Sequence, residues 1–399
     1  MSTLFSLADF RQALRRLARE RGFSATVLLT LALCIGANVT IYAVVDAILV
    51  RSLPFPDADR LVTAIKIYPG AGVSRSGISI ANYVDWRQSI TAFSSMAVIQ
   101  AGAAIVGEPG NPSRIQRDRV STQFFSTLGV PLAMGREFQE AELSPANSHV
   151  AILTDEYWRN NFAADSNVLG RKFQVDGAPF TIVGVLPAGF HYLTSRAQFF
   201  VPLSWSPAET TIDNRHTNRI WLVARLAPGA TLTSAGAQIT AFDTHQLESE
   251  PNAVFLKSAH YATVLQFLHE DQVREIRPVL LLLQGGVLLL LCIGGVNLVN
   301  LLLIRASGRA KELAVRRALG AQDKHIAREV VLETTLLAVG GGALGLGFGA
   351  VGIRLLTALG RALLPVGAVI EFDLRVALIA LAGSAIVGVA LALPADHLC

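Results

Sequence analysis

Long apolar runs alternate with mixed polar stretches along this chain, and their lengths set its architecture. The first run covers 23–50, interrupted by Asn38 and Asp46, and the second covers 278–304, interrupted by Gln284, Asn297 and Asn300. A third covers 329–357 and a fourth 374–393. Each is long enough to cross a bilayer as a helix, which needs roughly 20 residues at about 1.5 Å rise. The pattern between the first two runs differs. Arg60–Ile67 and Ile220–Leu226 read as strands, and Lys172–Val175 and Phe180–Leu186 flank Asp176-Gly177, a hairpin signal. After the Pro228-Gly229 turn, Leu232, Ala235, Ile239 and Phe242 mark one face of a helix reaching Glu250. Thr122–Leu128 and Thr154–Phe162 read as shorter helices. Before the first run, Leu7, Phe10, Leu14 and Leu17 recur at helical spacing with arginines on the remaining face. That pattern predicts a helix lying in the membrane interface, its arginines at lipid phosphates.

Composition agrees with a membrane protein carrying a large polar part. Of 399 residues, 52% are hydrophobic and 16% charged, with a net charge of +4. The basic excess sits beside the apolar runs, in the first 22 residues and in Arg305–Ala321, while 51–277 is nearly neutral. Lys and Arg are retained on the cytoplasmic side, so the chain reads N-in, four spans, C-in, with 51–277 and the loop 358–373 outside. A basic n-region ahead of 23–50 also fits a cleaved signal peptide. The length of the run and the lack of an A-x-A site favour an uncleaved anchor. The charge pattern needs no nucleic-acid partner. The three cysteines are Cys34, Cys292 and Cys399, so 51–277 has neither a disulfide framework nor a Cys-based zinc site.

The stretch Arg305–Ala321, RASGRAKELAVRRALGA, is the most informative segment. Glu312 stands four residues before Arg316, a helix-supporting pair, and Gly320 offers a stop. A positively charged helix held at the inner membrane surface suits docking of a soluble partner. In the third run, Gly341, Gly345 and Gly349 form a small-xxx-small ladder that lets another helix approach closely. The rival reading, a phosphate-cradling loop, lacks a preceding strand and a following Lys.

Catalytic chemistry is not legible. The sequence contains no G-x-x-x-x-G-K-[ST], no H-E-x-x-H and no G-x-S-x-G. His269, Glu270 and Asp271 read as a solvated charged patch, and Asp46 and Glu333 as residues at the two membrane interfaces. No catalytic and no metal-binding residue is expected.

Several segments resemble one family, the MacB/FtsX-type permeases of ABC transporters, and most closely one half of the duplicated orphan permease (ADOP) subgroup. DFRQALRRLARERGFSATVLLTLALCIGAN, RSLPFPDADRLV and NYVDWRQ look like its entry helix, first span and exit. VSTQFFSTLGV, VLGRKFQVDGAPFTIVGVLPAGF and VARLAPGATL follow its periplasmic core domain, and KELAVRRALGA with IAREVVLETTLL its coupling segment. The resemblance implies a four-span α-helical membrane protein with a large extracytoplasmic α+β domain of the MacB periplasmic core type.

Its divisions would be a cytoplasmic amphipathic entry helix (1–22), span one (23–50), the core domain (51–277) and span two (278–304). A coupling segment (305–328), span three (329–357), an external loop (358–373), span four (374–393) and a cytoplasmic tail (394–399) would follow. Within the core domain, residues near 58–120 and 220–270 would flank an insert near 121–219. The resemblance further implies an inner-membrane permease subunit of an ATP-driven exporter or extractor. It would couple through Arg309, Glu312, Arg316, Arg317 and Gly320 to a separate cytoplasmic ABC ATPase, which holds the ATP and magnesium; no cofactor is expected on this chain. Further expected partners are a second permease copy or half-permease and membrane lipids. Members of the duplicated subgroup carry two such units, whereas this sequence reaches HLC after one and reads as truncated. The alternatives are an FtsX-like regulator of envelope proteins without transport, and a non-functional half-permease fragment.

Overall fold

The computed structural model describes residues 7–107, 110, 112–318 and 323–359. The chain begins with helix α1 (Leu7–Arg19), which buries Ala13 and Leu17 and leaves Phe10 and Leu14 exposed beside Arg11, Arg15 and Arg19. Helix α2 (Arg21–Val45) follows and ends in a π-helical turn, Asp46–Val50, where Arg51 Nε pairs with Asp46 Oδ2 at 3.0 Å.

Residues 52–274 then form a compact unit of their own. Its strands are β1 (Leu61–Tyr68), β2 (Val73–Ser76), β3 (Phe93–Val106), β4 (Ser113–Val120), β5 (Met134–Gly135) and β6 (Val150–Leu153). They continue with β7 (Lys172–Val175), β8 (Ala178–Val185), β9 (Phe199–Pro202), β10 (Trp221–Leu226) and β11 (Ala262–Phe267). The helices are α3 (Ile80–Ser89), α4 (Phe124–Leu128), α5 (Asp155–Phe162), α6 (Leu232–Ser249), α7 (Ala253–Ser258) and α8 (Leu268–Val273). The strands join in the order β11-β1-β10-β3-β4-β9-β6-β8-β5, with β2 on β1 and β7 bridging β3 and β8. Among the described residues only β4 with β9 and β6 with β8 pair in parallel.

Period-2 alternation gives this sheet two apolar faces. Val62, Ala64, Met96, Val98, Leu222 and Ala224 pack on one face against Tyr83 and Trp86 of α3 and Ala235 and Ile239 of α6. Leu61, Ala97, Ile99 and Val223 meet Phe124, Phe125 and Leu128 of α4 on the other. A third core, around Tyr157, Phe180, Ile182 and Phe199, closes the β6–β9 region. The expected strands are β1 and β10, and the expected helix is α6. The start of α6 is capped by Thr231, whose hydroxyl accepts from the Ser234 amide. The Asp176-Gly177 hairpin joins β7 to β8 with both turn residues at positive φ, 51° and 79°, the conformation a two-residue primed turn demands.

One expectation is corrected in this unit. Asp271 is not part of a solvated patch: it is 6% exposed and forks to Arg75, whose guanidinium lies 4.7 Å from the Trp221 ring centroid. A charge shortly before an apolar run reads as solvated in one dimension. Its distant partner Arg75 is what permits burial.

The chain returns to the helical unit as α9 (Arg277–Ala318) and α10 (Asp323–Leu359). Three helices among the described residues are long and apolar enough to cross a membrane: Arg21–Val50, Arg277–Arg305 and Leu332–Thr357. The basic stretch is not a separate helix. It continues the second span without a break to Ala318, and Gly308 alone is too mild an interruption to stop it. The expected stop at Gly320, the fourth span at 374–393 and the tail at 394–399 lie outside the described residues, as does the expected external loop beyond Leu359.

Candidate functional site

The helical unit is organised around α2, which packs α9 on one side and α10 on the other. Gly341, Gly345 and Gly349 of α10 lie against Leu31, Ile35 and Val39 of α2. A Cβ at these positions would stand 2.6, 2.8 and 2.9 Å from the respective side chains. Gly36 of α2 answers in the same seam, facing Phe348 and the Gly345 carbonyl. Close backbone approach permits bonds that a bulkier seam would prevent: Thr40 Oγ1 donates to the Gly349 carbonyl at 3.3 Å. On the opposite side, Asn38 Nδ2 donates to the Val287 carbonyl of α9 at 2.8 Å, and Gly294 leaves room for Cys34 Sγ. At membrane depth, such small-residue contacts and interhelical bonds supply the association that hydrophobicity cannot.

Near residues 16–24 these helices converge on a buried charge cluster. Arg305 of α9 sends Nε to Glu20 Oε2 at 2.8 Å and Nη2 to Glu333 Oε2 of α10 at 2.7 Å. Arg16 of α1 approaches the other Glu333 oxygen at 3.7 Å, and the Arg305 guanidinium lies 4.6 Å from the Phe23 ring centroid. Glu333 is 2% exposed, and the Arg305 side chain 11%. Two arginines thus meet two carboxylates in a site where Glu333 is almost wholly buried. Desolvating charges is costly, so such a cluster persists only when each charge has its partner. Glu333, at the end of the apolar stretch Leu332–Thr357, is therefore the buried carboxylate on which two arginines from different helices converge.

One guanidinium joins three elements of the helical unit. Planar and forked, it forms ion pairs with Glu20, in the junction of α1 and α2, and with Glu333 on α10, each carboxylate nearest a different nitrogen. Arg305 thus links α9 to both neighbours. Arg305 is also the first residue of the basic stretch. Arg309, Glu312, Arg316 and Arg317 follow on the same helix, while their side chains, and Gly320 altogether, lie outside the described residues. The glycine ladder and the charge cluster share helices α2 and α10. The sequence marks Glu333 by its isolation in an apolar run, but offers no sign that Arg305 and Glu20 are its neighbours. Among the described residues no group of three or more His, Cys, Asp and Glu could hold a metal.

Comparison with known proteins gives two matching family models, the MacB-like periplasmic core domain over residues 24–242 and the FtsX-like permease C-terminal domain over 285–395. A similar relative is the macrolide export ATP-binding/permease protein MacB of Neisseria meningitidis, 27% identical over 58% of this chain and 34% of its own length. The protein of that name from Rhodospirillum rubrum is 24% identical over 86% of this chain and 52% of its own length. The chain thus spans between about a third and a half of these relatives, whose names include an ATP-binding function. The crystal structure of the periplasmic region of MacB from Actinobacillus actinomycetemcomitans aligns at 16% identity and a TM-score of 0.36, over 55% of this chain and 94% of that one.

Proposed function

The chain belongs to the MacB/FtsX-type permeases, and from that membership we propose that it is the permease subunit of an ATP-driven exporter or extractor. In this reading the force is supplied by a cytoplasmic ABC ATPase. The ATPase docks on the basic continuation of α9, with Arg309, Glu312, Arg316, Arg317 and Gly320 as the contact residues. The observation that carries the proposal is Arg305. The same helix that presents the docking segment is ion-paired through one guanidinium to Glu20, before α2, and to Glu333 of α10. A push on the docking segment moves α2 and α10 together, and α2 leads directly into the extracytoplasmic unit.

Residues 374–393 serve as the fourth span and a second permease copy or half-permease as the partner in the membrane. Helix α1 lies along the inner interface, with Phe10 and Leu14 in the acyl boundary and Arg11, Arg15 and Arg19 at anionic headgroups. ATP and magnesium belong to the ATPase, and the location is the bacterial inner membrane.

The test is capture of the ATPase by the full chain. Arg316→Glu with Arg317→Glu reverses two charges on the docking helix and is expected to weaken capture by at least about tenfold. Substitution of exposed Arg159 by Glu, in the extracytoplasmic unit, should leave capture unchanged. Undiminished capture by the double variant would remove the docking role of this segment.

A further inference from the structure

The extracytoplasmic unit holds a buried charged cluster that the permease reading does not use. Lys66 of β1 is 0% exposed, and its Nζ donates to Asn82 Oδ1 at 2.5 Å and to the Arg215 carbonyl at 3.4 Å. The Tyr261 ring centroid is 5.3 Å from the same nitrogen. Asn82 Oδ1 also accepts from Ser79 Oγ, the N-cap of α3, so the amide has a fixed orientation. Asp243 and Glu250, 6% and 7% exposed, face the lysine from α6 and its C-cap, and Thr263 of β11 donates to Asp243 at 2.5 Å.

What covers Lys66 is an irregular segment, residues 211–219, between β9 and β10. It is pinned at several points, mostly by polar groups. Arg215 pairs with Asp85 of α3 and lies 3.5 Å from Glu250. His216 Nδ1 bonds Tyr68 Oη at 2.9 Å, and Asn218 Nδ2 donates to the same oxygen at 2.8 Å. At its end, Ile220 and Ile78 exchange both backbone hydrogen bonds, 2.7 and 3.2 Å, an approach for which Gly77 leaves the space. A loop held by polar pins rather than by apolar burial opens locally at modest cost.

We propose that residues 211–219 are a proton-responsive strap, closed over Lys66 at alkaline pH and released as the outside medium acidifies. The sign follows from burial. Desolvation, opposed by Asp243 and Glu250 and reinforced by Arg215, pushes the Lys66 ammonium down to about 7 from its ordinary value. Desolvation, then Lys66 and Arg215, pushes His216 down to about 4. Opening returns both to water and therefore takes up protons, between about 7 and 10.5 for the lysine and between about 4 and 6.5 for the histidine. Asp243 and Glu250, both raised by burial and Glu250 further by the neighbouring Asp213 charge, act with the opposite sign, toward the acid end. Above neutrality the lysine governs.

Hydrogen exchange on the full chain in lipid nanodiscs tests this. The readout is the Ile78 and Ile220 amides, corrected for intrinsic rate, with β3 amides as the internal control. From about pH 9 down to about pH 7 their opening should increase by about tenfold per unit, one proton being taken up per opening. Lys66→Met should abolish that slope. His216→Gln should keep it, because the slope above neutrality belongs to the lysine. A flat wild-type profile overturns the proposal, as does an undiminished slope in Lys66→Met. If Lys66→Met does not fold, a wild-type slope at Ile78 and Ile220 with none in β3 supports the strap, and a slope shared with β3 overturns it.

Discussion

Replacing Glu333 with alanine is expected to cost the helical unit about 3–5 kcal/mol, the penalty for leaving a buried charge without its partner. The carboxylate is 2% exposed and receives Arg305 and Arg16. Its removal takes away one of the two carboxylates that hold the Arg305 guanidinium, whose side chain is 11% exposed. The partly exposed pair between Arg87 and Glu140, whose carboxylate is 61% exposed, provides the comparison. Removing Glu140 should cost no more than about 1 kcal/mol, because water already screens it. All four tryptophans lie in the extracytoplasmic unit, so intrinsic fluorescence is the wrong probe for the bundle. Cys34 reports on the bundle directly, since its thiol sits against Gly294 and donates to the Leu290 carbonyl. Its labelling through an SDS titration, with Cys292 and Cys399 replaced by serine, measures the cost of Glu333→Ala, while tryptophan fluorescence reads the Glu140 variant in its own unit. A cost for Glu333→Ala equal to that of the exposed pair would show that the cluster is not a structural node.

The second large effect belongs to the glycine seam, where two neighbouring positions should respond in opposite ways. Gly345→Leu has no room: even its Cβ would stand 2.8 Å from Ile35 Cβ and 3.3 Å from the Ala32 carbonyl. Forcing a leucine there should cost about 3 kcal/mol, the upper end for overpacking, and separate α2 from α10. Gly347, two residues along the same helix, has nothing within 4 Å of its would-be Cβ. Gly347→Leu should be neutral or slightly stabilising, by up to about 1 kcal/mol from helix propensity. The Cys34 titration reads both variants. Equal effects at the two sites would mean that glycine serves the helix itself rather than the contact with α2.

Much of this architecture is legible in the sequence because it is local. The hairpin at Asp176-Gly177 needs only its two turn residues, and α6 only the spacing of Leu232, Ala235 and Ile239 behind a Thr cap. The ladder of Gly341, Gly345 and Gly349 identifies a close-packing face, though not that α2 is what packs there. β4, SRIQRDRV, is the opposite case. Its polar composition hides a strand that runs between β3 and β9 and takes its order from both neighbours. The buried charges are illegible for the same reason. Asp271 needs Arg75, Glu333 needs Arg305, and Lys66 needs Asn82 and the Arg215 carbonyl, all of them partners far along the chain. A lone charge reads as solvated until the fold supplies its counterpart.

The central claim is that Arg305 carries motion from the docking segment into its neighbouring helices. Arg305→Lys tests it with little loss of charge, because one ammonium cannot reproduce a fork that reaches Glu20 and Glu333 through separate nitrogens. The measurement is hydrogen exchange across α2 and the extracytoplasmic unit, with the full chain and its ATPase in nanodiscs, before and after trapping with ATP and vanadate. Trapping should change exchange in α2 and beyond in the wild type. In Arg305→Lys the ATPase should still bind, and that change should be lost. An undiminished nucleotide-dependent change in the variant would contradict the account.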